Sequence, residues 1–151
     1  MIFSILKDTL ISKSSGYAAA GQGTTTGTEI DLGSETEGCF DSVCFIAVFS
    51  TVTTASVCTL KAYAGTVAGL GSLAAYAVTT AVVTASGTDT NNNMLILDCV
   101  RPGKRFIRPD FVIATANAAL DCIIAIRYNA RQLPTQELAA LADGALSIGM
   151  L

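Results

Sequence analysis

The sequence has no histidine and no tryptophan. Without imidazole there is no Ser-His or Cys-His couple, no histidine base and no histidine-held metal, so acid–base chemistry would have to run through carboxylates. The nearest candidates, Glu35 and Glu37, lie in a Gly-bounded acidic stretch where nothing raises a pKa. No catalytic residue is assigned, and the chain reads as a non-enzyme. With aromatic residues at 7%, a sugar-stacking platform is poorly supplied, Tyr17, Tyr63 and Tyr76 being its best material. Charge is also scarce: the charged fraction is 14%, well under the ~25% of ordinary soluble domains. A net charge of −3 and a pI of 4.7 give no electrostatic basis for binding nucleic acid, whose affinity comes largely from Lys and Arg on phosphates. No run reaches the ~20 apolar residues a membrane-spanning helix needs, because Asp41, Lys61, Asp98 and Asp121 interrupt the candidates. Residues 1–6 are apolar, but no basic region precedes them and Lys7 and Asp8 follow, so no export signal is expected. The five cysteines, Cys39, Cys44, Cys58, Cys99 and Cys122, include no C-x-x-C pair, and an odd number argues against a secreted disulfide framework. Thiols packed as small hydrophobes in a reducing cytoplasm are expected, with no metal and no cofactor.

The 151 residues suit one domain with its own core. The hydrophobic fraction of 51%, with so few charges, leaves a large neutral surface of the kind that packs against neighbours. The charges that exist are segregated. Glu29, Asp31, Glu35, Glu37 and Asp41 cluster early, and Arg101, Lys104, Arg105, Arg108, Arg127 and Arg131 late. Read plainly these are two sets of solvated loops; read more sharply they match head to tail between copies or with a partner, setting register more than affinity.

Along the chain, residues 1–20 carry Ile2, Phe3, Ile5, Leu6, Leu10 and Ile11 with some helical spacing and read as an N-terminal arm, or else as an edge segment covering its own core. The stretch from Gly21 to Gly27 places its third glycine one position late for a dinucleotide fingerprint and lacks a Gly-Lys-Ser/Thr ending, so it reads as a flexible linker. Residues 28–32 read as a first strand. Residues 40–49 are apolar on both faces, which predicts a central strand; a Thr-rich turn and residues 56–63 complete a hairpin with one wet face. Residues 64–73 read as a loop, 74–85 as a strand and 86–93 as a turn. Residues 94–100, 106–115 and 121–128 then read as three strands of a meander, joined by turns at 101–104 and 116–119. In the last of them Cys122, Ile124, Ile126 and Tyr128 form the expected core face, and Asp121, Ile123, Ala125 and Arg127 a mixed one. Beyond Pro134, Thr135 is a candidate N-cap and Gly144 a candidate stop for a short helix, while Leu146, Ile148 and Met150 alternate as in a strand donated to a sheet edge. The fold class is all-β: one β-sandwich or jelly-roll-like Greek-key domain over residues 21–134, with arms at 1–20 and 135–151.

Thr28-Glu29-Ile30-Asp31-Leu32-Gly33, Phe40-Asp41-Ser42-Val43, Lys104-Arg105-Phe106-Ile107-Arg108-Pro109 and Ala125-Ile126-Arg127-Tyr128-Asn129-Ala130-Arg131-Gln132-Leu133-Pro134 resemble segments of small virion structural proteins of tailed bacteriophages, of the capsid decoration (cement) type. The resemblance covers roughly residues 28–134 and departs at 64–75, which is Ala/Gly-rich where such proteins carry an acidic loop. It implies a module made in the host cytoplasm that binds the outside of the capsid, with the major capsid protein as partner and a homotrimer as its form, and with no nucleic acid or membrane involved. Under it, Arg101, Lys104, Arg105, Arg108, Arg127 and Arg131, with Ile2, Phe3, Leu146 and Ile148 of the arms, are the expected interface residues. Alternatives of the same or another class are a head–tail adaptor or tail component and a carbohydrate-binding β-sandwich for host adsorption.

Overall fold

The computed structural model describes residues 9–33, 39–69, 74–86 and 91–130. These hold β1 (Leu10–Ser15), β2 (Ala18–Thr26), β3 (Ile30–Asp31), β4 (Phe40–Val52), β5 (Val57–Gly65), β6 (Ala74–Thr84), β7 (Asn93–Cys99) and β8 (Phe106–Ala130), and no helix among the described residues. The all-β class expected from the sequence is what is found. All eight strands belong to one antiparallel sheet, folded on itself into a barrel-like, nearly closed form.

The sheet is organised by β8. Along one of its sides β5 pairs with its first part, Val57 opposite Ala114 through Gly65 opposite Phe106, and β4 with its second, Phe40 opposite Ala130 through Val52 opposite Ala118. Along its other side β3, β2 and β1 follow one another from Ile30 opposite Ile107 to Leu10 opposite Arg127. Outside β5 lies β6, and outside β4 lies β7. The chain therefore makes three long ribbons, β1–β2–β3, β4–β5 and β8, that bend at the same level, with β6 and β7 flanking β5 and β4. At that corner β2 is bulged around Gly21 and Gly23, and Thr115 of β8 takes a φ of 71°. Ala116, Ala118 and Ala119 follow, small enough for neighbouring backbones to close in and free of the Gly or Pro that would end the strand. The Thr53 amide donates to the Asn117 carbonyl (2.9 Å) and Ser56 Oγ to the Ala116 carbonyl (3.0 Å), which ties the bends together.

The bend divides the sheet into a β5 half and a β4 half whose inner faces pack on each other. Val43, Phe45, Ala47 and Phe49 of β4, Cys58, Leu60 and Ala62 of β5, Ile107 and Phe111 early in β8 and Leu120, Ile123 and Ala125 late in it form the core. Phe49 and Phe111 come from different halves, and their ring centroids lie 5.8 Å apart. Such pairs add about 0.5–1.5 kcal/mol to the burial of their area.

The inward faces of β4 and β5 are those expected from alternation, and β4 is central, as its two apolar faces predict. Several expectations are corrected. Residues 106–130 form one strand and not two, and β7 pairs with β4, so no meander forms. β4 and β5 lie end to end along β8 and do not pair as a hairpin. Residues 10–26, read as arm and linker, are sheet strands, the edge segment of the alternative reading. Along late β8 the face is inverted: Ile123, Ala125 and Arg127 are buried, while Cys122, Ile124, Ile126 and Tyr128 are half-exposed. Directly paired residues share a face, and Phe45 stands opposite Ala125 and Ala47 opposite Ile123. The bulk on β4 thus sets the phase of β8. The short helix and the donated strand expected after Pro134 lie outside the described residues, as do Ile2 and Phe3.

Gly27 marks the tightest crossing, where its amide donates to the Pro109 carbonyl at 2.8 Å. A Cβ there would meet Pro109 Cγ at 2.7 Å and Ser14 Oγ at 2.8 Å, whereas one on Gly21 meets nothing nearer than 3.8 Å. Gly27→Ala is expected to cost about 1–3 kcal/mol by overpacking, and Gly21→Ala less than about 1 kcal/mol. Urea denaturation of the two variants checks this; equal midpoints would refute the close approach.

Candidate functional site

The two outer faces of the sheet differ in chemistry. On the β5 half, Thr24 and Thr26 of β2, Thr59, Lys61 and Tyr63 of β5 and Arg108 and Asp110 of β8 share one face, because Thr26 and Lys61 both stand opposite Asp110 and Tyr63 stands opposite Arg108. Arg108 and Asp110 are nonetheless buried, at 8% and 5% exposure. The guanidinium spans the carboxylate through Nε (3.0 Å) and Nη2 (3.2 Å) and lies 5.0 Å from the centroid of the Tyr63 ring. Two residues apart on one strand, the pair needs no loop to align it.

On the β4 half the outer face is apolar. The rows run from β8 through β4 to β7: Ile126, Cys44 and Asp98; Ile124, Ile46 and Ile96; Cys122, Val48 and Met94. On the other side of β8, Ile11 stands opposite Ile126 and Lys13 opposite Ile124. Met94 is 53% and Ile96 54% exposed, and Ile11 is also exposed. Burial, with the Asp98 charge adding to it, pushes the Cys44 thiol up. At one end of this face the Tyr128 hydroxyl donates to Asp98 Oδ1 at 2.6 Å. Burial first, then that hydrogen bond and the carboxylate charge, push Tyr128 up to about 12. Alternation on β8 carried the signal for this face, read with the opposite phase.

At the same end of the molecule a cleft of about 550 Å³ opens beside Leu32, Cys39, Phe40, Arg101, Lys104 and Arg105. Its wall is built on Asp31, which accepts from Arg105 Nε (2.9 Å) and Nη2 (2.8 Å) and from the Gly33 amide (2.8 Å). The Arg105 hydrogen bonds hold the Asp31 carboxyl below the usual range, against partial burial. Arg127 enters from inside the fold: 5% exposed, it donates from Nη1 to the Asp31 carbonyl (3.3 Å) and lies 5.8 Å from the centroid of Phe40.

Of the expected interface residues, Arg101, Lys104 and Arg105 come together at the cleft and are exposed. Arg108 and Arg127 are buried in the chain's own structure, so a surface role for them is corrected: alternation places a side chain on a face but says nothing of the carboxylate or ring that covers it. Arg131, Leu146 and Ile148 lie outside the described residues, as do Glu35 and Glu37. Tyr17 stands near Leu120 and Tyr63 beside Arg108, on opposite sides of the corner of β8, so these two form no common platform; the side chain of Tyr76 lies outside the described residues. Among the described residues no three of His, Cys, Asp and Glu are grouped to hold a metal ion.

Removing one member of a buried ion pair strands the other, so Arg108→Met is expected to cost about 3–5 kcal/mol, while Arg108→Met with Asp110→Leu returns most of the loss. Chemical denaturation of both variants decides it; a double variant no better than the single one would contradict an isolated pair. Tyr128, with its folded pKa raised from 10 to about 12, contributes stability that is complete below pH 10 and is lost as the pH climbs toward 12. Ultraviolet titration should show its phenolate appearing near pH 12, and Asp98→Asn should bring that transition back toward 10.

No protein-family model matches the chain, and no curated protein matches its sequence.

Proposed function

We propose that the chain is a structural protein of a virion shell, a capsid decoration protein that binds the outer surface of the major capsid protein lattice and bridges capsomers. The observation that carries this reading is the apolar outer face of the β4 half, set against a mixed outer face on the β5 half of the same sheet, where Val57, Val82 and Val112 stand among Thr59, Lys61, Tyr63, Arg108 and Asp110. Scattered surface hydrophobes need no explanation, but a contiguous patch on one side marks a contact surface. The cleft at the end of that face, where Arg101 and Lys104 stand with Asp41 and the Arg105–Asp31 pair, would supply a charged rim that sets orientation.

The strand order supports the same reading. Taking the halves as layers, one runs β1-β8-β4-β7 and the other β2/β3-β8-β5-β6, and in both the last ribbon of the chain lies between the first and the second. We read this as the jelly-roll form of a β-sandwich, an architecture shared by viral capsid proteins, lectins and cupins. Such a fold leaves function to the site. A histidine-held metal centre has no ligands in this sequence. Of the tyrosines a sugar platform would gather, Tyr17 and Tyr63 stand on opposite sides of the corner. Docking on a shell requires neither. Copies joined as a trimer would engage several capsomers at once, so that modest contacts add through effective concentration.

The test is sedimentation of the full chain with empty shells of the cognate major capsid protein. Saturable co-sedimentation is expected, weakened at least ~10-fold by Ile46→Glu with Ile124→Glu as a central apolar contact is lost. A chain that stays behind the shells at micromolar concentration, or a double variant that binds as well as the parent, would overturn the proposal.

A further inference from the structure

Edge strands invite pairing with another chain, and proteins blunt them with bulges, prolines, lysines or shortness. The edge made by β1, β2 and β3 is blunted in this way. It is broken into three strands, bulged between Lys13 and Ser15 and again around Gly21 and Gly23, and Lys13 stands on it. β6 shifts register against β5 between Lys61 and Tyr63. β7 carries none of these devices. It pairs with β4 without a shift from Val43 opposite Cys99 to Phe49 opposite Asn93, and Asn93–Cys99 holds no proline, glycine or lysine. Its single charge is drawn back over the sheet, where Asp98 accepts from the Tyr128 hydroxyl of β8 at 2.6 Å. Alternate residues of such a strand direct N–H and C=O away from their partner, and among the described residues no strand pairs with that side of β7.

The sequence of β7 suits a copy of itself. Antiparallel pairing centred on Leu95 sets Met94 opposite the second copy's Ile96, and Asp98 opposite the second copy's Asn92. Met94 and Ile96 are 53% and 54% exposed, and directly opposed side chains in a sheet lie in contact, so this register covers both. The two Asp98 residues are then about 20 Å apart along the strands, beyond the reach of their repulsion in physiological salt. Moving the register by two residues sets Asp98 opposite Met94 in one direction and Ile96 opposite Asn92 in the other, a polar group against an apolar one in either case. Moving it by one sets inner faces against outer ones.

We propose that β7 pairs with β7 of a second copy in this register, so that the layer β1-β8-β4-β7 continues into its own copy as one eight-stranded sheet. Main-chain hydrogen bonds supply the affinity and the alternating side chains the register. The contact is isologous and closes at two copies. Its twofold axis stands normal to the sheet, so the apolar outer faces of both β4 halves lie on one side as a single surface. The use of that surface on a shell rests on the proposed function; the pairing itself does not, and a homotrimer would need a different contact.

Two cysteine substitutions read the register in the full chain. Chains with Met94→Cys and chains with Ile96→Cys are mixed and mildly oxidised, and linked peptides are identified by mass spectrometry. Opposed residues have Cα atoms about 4.5–5.5 Å apart, within disulfide range, whereas a residue and its own copy, offset by two positions, are about 8 Å apart and beyond it. The mixture is expected to give a 94–96 disulfide dimer, at least about 10-fold above the dimer formed by either chain alone. In sedimentation velocity the parent is expected to gain dimer mass as its concentration rises toward about 1 mM, where a small interface still registers. Ile96→Lys, which installs a guard found on natural edges, is expected to stay monomeric, and the disulfide result does not depend on how well that variant folds. No 94–96 link in the mixture, equal links in the separate chains, a parent monomeric throughout, or an oligomer that Ile96→Lys leaves intact would overturn the pairing. Paired chains that fail to sediment with shells would sink the shell reading and leave the pairing standing.

Discussion

The structure depends on β8 passing through its corner without a break. Because the same strand is central to both halves, each half finds its second wall only in the other, and neither has a core of its own. The Phe49–Phe111 contact lies where the two inner faces meet. Burying each such ring contributes about 1.5–3 kcal/mol relative to exposure, and that gain exists only while the sheet stays folded over. The corner bends three ribbons at one level, with bulged glycine on β2, a left-handed Thr115 and alanines on β8, and hydrogen bonds in which Ser56 Oγ donates to the Ala116 carbonyl and Asn91 Oδ1 accepts from the Val52 amide.

Two of the described cations are used inside: Arg108 is held by Asp110 and Tyr63, and Arg127 by the Asp31 carbonyl and Phe40. Arg105 pairs with Asp31 at the surface. Apolar area lies on the outer face of the β4 half, with Arg101 and Lys104 exposed at the cleft at its end. Under the proposed shell role, such a surface would gain affinity by engaging several sites together, each contact remaining small.

Where alternation was carried by bulky residues, the reading of the chain held. The phenylalanines and valine of β4 point inward as their period requires, and Cys58, Leu60 and Ala62 of β5 do the same. It failed where both faces of a strand were apolar or where small residues filled the gap. Late in β8, isoleucines occupy both faces and Arg127 was the apparent marker of the outside, yet Phe40 and the Asp31 carbonyl receive it within the fold. At 116–119, small residues that resemble a turn instead permit a bend. At 21–27, glycine and threonine that resemble a linker form an edge strand, and Gly27 is there because Pro109 and Ser14 leave no room for a Cβ.

The sequence by itself determined the all-β class, the central place of β4, two strands expected at 74–85 and 94–100 and found at 74–84 and 93–99, and the lack of any histidine-based chemistry, because those follow from period and composition within a few neighbouring residues. Only the tertiary structure decided that 106–130 is one strand, which residues of its second part face the core, and that two of the expected surface arginines are internal. Each of these depends on what lies across the sheet, from residues up to a hundred positions away, and a local pattern carries no information about its partner.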